Sequence, residues 1–117
     1  MKLSQYLEQW DSFDWRTANC AHFAAQWAGV DLSDLPMPAG KDQVRAILRA
    51  DKTTSIKDSV TKRLGDPICP TLARVGDIVI SGHTLGICNG RVFAAPADGR
   101  GIVFVPMAQA EAAWRVD

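Results

Sequence analysis

The feature that most constrains this 117-residue chain is a change of period near Val75. Before it, apolar residues recur at helical spacing; after it, they come in short runs cut by turn residues. Leu3, Tyr6, Leu7 and Trp10 lie at i, i+3, i+4 and i+7, one face of a first amphipathic helix. Asp11 to Arg16 reads as a turn. A second helix is expected from about Thr17 or Asn19 to Ala28, stopped by Gly29. Both Thr17 and Asn19 are good N-cap types, so Cys20 falls in the first turn whichever one caps. Leu32 to Gly40 carries two prolines and a glycine and reads as an ordered loop. Val44, Ile47 and Leu48 outline a short helix. Ser55 with Asp58 three positions on opens another, through Ile56, Val60 and Leu64 to Gly65.

Beyond Val75 the expected elements are strands. Ile78 to Ile80 is a short buried run, Ser81-Gly82 a break, and Leu85 to Cys88 a second strand. Asn89-Gly90 is the residue pair that suits a type I′ hairpin, with Val92 to Ala95 as the returning strand. A turn at Asp98 to Gly101 leads to a strand from Ile102 to Val105, and Pro106 is expected to start a last short helix through Trp114. Helices first and a strand meander second make an α+β domain of N-terminal helices on a small antiparallel sheet. The length suits one domain, residues 1–117.

The charge balance removes several function classes. Thirteen basic residues match thirteen acidic ones, so nothing favours a nucleic acid or an anionic membrane as partner. No apolar run in residues 1–30 is long enough for a signal peptide or a membrane span, so the expectation is a protein made in the cytoplasm without a leader. The cysteines Cys20, Cys69 and Cys88 form no C-x-x-C pair, and only His22 and His83 accompany them. Reduced thiols, no metal site and no cofactor are expected.

Two chemistries fit Cys20. It shares a helical stripe with Phe23, Ala24 and Trp27, so it can simply begin a core face. The same place in a helix's first turn favours a thiolate, because free N–H groups and the positive end of the dipole meet there. A nucleophile also needs a base. His22 lies about 200° around the helix from Cys20, at about 100° per residue, and is expected to face solvent or a partner. His83, at the start of the second strand, is the histidine that could reach back to the thiol. Gly76-Asp77 reads as a turn with a capping acid, and the tryptophans as core or interface anchors.

Asn19-Cys20-Ala21-His22-Phe23 followed by Trp27 resembles the Asp-Cys-Ser-Gly-Phe helix start of NlpC/P60 cysteine peptidases. Arg74 to Ile80 resembles their Pro-Gly-Asp-Leu-Val strand, and Leu85-Gly86-Ile87 with Asn89-Gly90 and Val92 to Ala95 their His-Val-Gly-Ile-Tyr hairpin. The pattern is most similar to small phage and prophage proteins of this papain-like superfamily. It covers residues 15–115, with an atypical insert at 31–70. The resemblance implies a cysteine peptidase or amidase with Cys20 as nucleophile and His83 as base. It implies peptidoglycan peptides as substrate, phage tail or hub proteins as partners, and a place in the virion tail. It also admits a catalytically inactive member that serves as a structural part of a tail tip or hub. Two residues depart from the pattern. Thr84, not His83, aligns with the catalytic histidine, and Ala94 aligns with the polar residue that orients it. Asn89, Gln26 or a backbone carbonyl are the candidate substitutes.

Overall fold

The change of period marks the boundary between helices and sheet in the computed structural model, which describes residues 2–10, 20–30, 44–82, 84–97 and 101–116. Among the described residues four helices come first: α1 (Leu3–Glu8), α2 (Cys20–Ala28), α3 (Val44–Ala50) and α4 (Ile56–Leu64). Five strands follow among them: β1 (Ile78–Ser81), β2 (Thr84–Cys88), β3 (Val92–Ala97), β4 (Gly101–Pro106) and β5 (Ala112–Trp114). Every strand pair is antiparallel, in the order β4-β3-β2-β1-β5. The architecture is α+β.

Local signals set the helix ends. Ser55 caps α4 by accepting the Asp58 backbone N–H at 3.0 Å, and Gly65 ends it at φ +91°, a conformation L side chains rarely adopt. The expected caps of α2, Thr17 and Asn19, lie outside the described residues, as do the turn at Asp11 to Arg16 and the loop at Leu32 to Gly40.

Two expectations for the sheet half are corrected. The segment after Pro106 is not a helix. A 3-10 turn at Met107–Gln109 leads into strand β5. The Ala-rich segment has helical propensity, but the free edge of β1 overrides it. Ile78, Val79 and Ile80 pair with Trp114, Ala113 and Ala112, and the Glu111 N–H donates to the Ile80 carbonyl. Small residues at 112 and 113 let both sheet faces close over β5, and all three of its residues are buried. The hairpin between β2 and β3 is also one residue later than Asn89-Gly90. The Asn89 N–H donates to the Val92 carbonyl, so Gly90 and Arg91 are the central residues. Gly90 alone among them takes positive φ (+88°), which excludes type I′.

The sheet is buried on both faces, and strand alternation sorts its residues. Ile78, Ile80, Leu85, Ile87, Ala94, Ala112 and Trp114 share a core with Phe23 and Ala24 of α2 and Leu3 and Tyr6 of α1. Val79, Cys88, Phe93, Ala95 and Ala113 form a second core on the other face. Gly86 is required between them: a Cβ there would lie 2.6 Å from the Phe93 ring and 2.7 Å from the Ala94 carbonyl.

Candidate functional site

Cys20 opens α2, and the sequence around it explains how that helix is held. Phe23 and Ala24 are buried against the sheet, and Trp27 packs on the same core. Two hydrogen bonds fix the helix along its axis. The Tyr6 hydroxyl of α1 donates to the Phe23 carbonyl at 2.6 Å. The Trp27 indole N–H donates to the Gly76 carbonyl, in the turn before β1, at 2.8 Å. Tyr6, Trp10, Phe23 and Trp27 stack around this junction, with ring centroids 5.1–6.3 Å apart. Burial pushes the Tyr6 phenol up to about 12, although the Trp10 side chain and the Trp27 backbone N–H act in the opposite direction. Sequence periodicity marked Tyr6 only as apolar; its polar role in seating α2 needed the packed structure.

The side chain of Cys20 and the whole of His83 lie outside the described residues. β1 and β2 pair up to Ser81 opposite Thr84, so only positions 82 and 83 separate them. Within β2, Leu85 and Ile87 join the core under α2, whereas Cys88 belongs to the opposite core. Alternation puts Thr84 with Gly86 and Cys88, on the face away from α2. A histidine at position 84, where the NlpC/P60 pattern has one, would therefore point away from the helix in this chain.

The remaining candidates separate further. Ala94 is fully buried on the α2 face, opposite Ile87, with no side-chain acceptor to offer an imidazole. Asn89 is exposed and lies just past Cys88, about 17 Å along β2 from Thr84 at 3.4 Å per residue. An orienting contact from Asn89 would have to span that strand. Gln26 is exposed on α2, six residues beyond Cys20. His22, expected to face solvent or a partner, is half-buried, with Nδ1 sealed from solvent. Asp77 has the expected capping role: its carboxylate accepts the backbone N–H groups of Arg74 at 2.9 Å and Val116 at 3.1 Å. Among the described residues, no three His, Cys, Asp or Glu side chains come together as a metal site would require.

The other two thiols differ in kind. Burial pushes the Cys88 thiol up, and the Asp77 carboxylate adds to the effect. Cys69 is exposed, and its sulfur lies 3.1 Å from the Thr71 hydroxyl. That contact and the Thr71 backbone N–H lower its pKa. Pro70 and Thr71, which follow it, join Met107, Ala108 and Ala110 around a shallow groove of about 320 Å³. The lone cysteine gave no sign of this in the sequence.

A family model for a domain of unknown function, DUF6950, matches residues 1–116. The chain belongs to that family. No curated protein and no solved structure matches it. The family match spans both the helical half and the sheet, so α2 and the β1–β2 hairpin belong to one family domain. No helix among the described residues is long and apolar enough to cross a membrane.

Proposed function

We propose that this protein is a cysteine hydrolase of NlpC/P60 type, encoded by a phage or prophage and associated with the tail, which cuts peptide bonds of bacterial peptidoglycan. The observation that carries the reading is the packing of α2, which opens at Cys20, on β2, which begins just after position 83: Phe23 and Ala24 share a core with Leu85 and Ile87. Position 20 comes three and four residues before Phe23 and Ala24, the sequence spacing of one helical face. The reading requires a thiol from the head of α2 and an imidazole from position 83, between β1 and β2, to meet at this interface.

In this reading the Cys20 thiolate attacks the scissile carbonyl carbon to form a thioacyl enzyme. His83 gives the leaving amine its proton, and then activates the water that releases the acid. Backbone N–H groups in the first turn of α2 have no partner within the helix and suit the oxyanion. A backbone carbonyl replaces the side chain missing at Ala94 as the acceptor that orients the imidazole.

Thiol alkylation against pH, followed by mass spectrometry, tests the nucleophile in a Cys69→Ser background that removes the exposed thiol. Cys20 is expected to react with an apparent pKa below the free-thiol value of about 8.5, while Cys88 stays protected. Digestion of muropeptides should cease with Cys20→Ala and fall by about 10²–10⁴ with His83→Ala. A Cys20 of ordinary pKa, with no digestion by the parent chain, favours a structural tail or hub component instead. Ala94 is the residue that favours that second reading, since a buried methyl stands where an active site of this type has a polar group.

A further inference from the structure

The outer edge of β4 has the features of a strand that pairs with another chain. β4 is an end strand of the sheet, and among the described residues nothing pairs with its outer side. Natural edge strands are commonly guarded by lysine, by proline, by an inward charge or by a bulge; on β4 the one residue of that kind is Pro106, at its end. Residues 101–110 (GIVFVPMAQA) contain no charge, and β4 pairs with β3 without interruption from Gly101 to Pro106. Phe104 is 55% exposed on this edge strand.

The hydrogen-bond phase identifies the open groups. The Met107 N–H donates to the Arg91 carbonyl, in register with the β3–β4 ladder. Alternation then turns the N–H and C=O groups of Gly101, Val103 and Val105 towards β3. Those of Ile102 and Phe104 point outward. Pro106 also points outward but has no N–H, so it ends the donor row.

We infer that this edge binds the same edge of a second copy, antiparallel about a two-fold axis at Val103. That register is self-complementary. Ile102 lies opposite Phe104 of the second copy, each exchanging N–H···O=C bonds with the other, and every outward N–H of the edge acquires an acceptor. It also sets an aromatic side chain against a β-branched one in both directions, a favourable cross-strand pair. The occupant is a second copy because the edge supplies matching donors, acceptors and side chains to itself, and because a chain of zero net charge does not repel its twin. One strand per copy makes a small interface, so the dimer is weak and reversible. The inference does not depend on the hydrolase reading.

Sedimentation velocity on the full chain, from about 1 μM to about 1 mM, should show a concentration-dependent shift from monomer to dimer. Ile102→Pro removes one outward N–H and leaves the β3 side of the ladder intact. Phe104→Lys brings two ammonium groups to diagonal positions across the axis. Each should leave a monomer throughout that range, with the circular dichroism spectrum of the parent chain. Val103→Cys, in a Cys69→Ser background, should form a disulfide between copies at position 103 on mild oxidation. This variant also decides the matter if either of the others fails to fold. A parent chain that stays monomeric, a dimer that survives both edge substitutions in folded protein, or no cross-link at 103 overturns the inference.

Discussion

Two helix pairs are attached to this molecule by opposite means. α1 and α2 meet over the sheet through aromatic rings and a core that includes Phe23, Ile80, Leu85, Ile87 and Trp114. The segment after α3 meets α4 through one carboxylate. Asp51 is 4% exposed. It accepts from the Arg63 guanidinium at 2.7 and 2.8 Å, the Ser59 hydroxyl at 2.6 Å and the Lys62 ammonium at 3.1 Å. No residue of α4 is fully buried; Ile56, Val60 and Leu64 only lean on the main core, and the Trp114 indole donates to Thr61 at 3.2 Å. Close packing seats α2 against the sheet. A polar clasp holds α3 to α4 by geometry of charge, and it responds to pH.

The contrast can be broken first at the packed end. Phe23→Ala removes a fully buried ring beneath α2 and should cost about 3–5 kcal/mol in chemical unfolding. A loss near 1 kcal/mol would mean that α2 is not seated by this core.

The clasp should give a smaller and pH-dependent effect. The Arg63 guanidinium, helped by Ser59 and Lys62, holds the Asp51 carboxyl well below the usual carboxylate range despite its burial. The lowered pKa means the carboxylate stabilises the fold above the unfolded-state value of about 3.9, and that this contribution is lost as pH falls further. Arg63 is 17% exposed and Lys62 52%, so Arg63 carries most of the pairing. Asp51→Asn should cost about 2–3 kcal/mol at neutral pH. It should also flatten the acid limb of a stability–pH curve between about pH 4 and pH 2. An unchanged acid limb would show that another carboxylate sets it.

The smallest effect tests whether the packed end also depends on a polar contact. Tyr6→Phe keeps the ring stack and removes the donor to the Phe23 carbonyl. The expected loss is about 1 kcal/mol. Because the folded-state phenol is held neutral to higher pH than the unfolded one, its contribution is full below about pH 10 and is lost as pH rises towards 12. Melting curves of both forms across that range should converge.

Much of the fold was legible because its signals are local. The Ser55 cap, the stop at Gly65, the stripe of α2 and the β-branched runs of β1 and β4 each depend on neighbours a few residues away. β5 was missed because Ala112 and Ala113 have no strand character of their own; the vacant edge of β1 gives it to them. The candidate site divides in the same way. Cys20 at a helix start can be read from nearby residues. Tyr6 as a donor to α2, and the contact of Cys69 with Thr71, depend on atoms brought together by folding or by a tight turn.

By itself the sequence determined the α+β order, the placing of Cys20 in a first helical turn and the run from 101 to 110 that contains no charge. Only the tertiary structure decided which face each residue of β2 presents. Alternation fixes the difference between neighbouring residues but not the face on which the series starts. That choice came from Phe23 and Ala24 packing onto Leu85 and Ile87, with Gly86 the only residue small enough to pass between Phe93 and the Ala94 carbonyl.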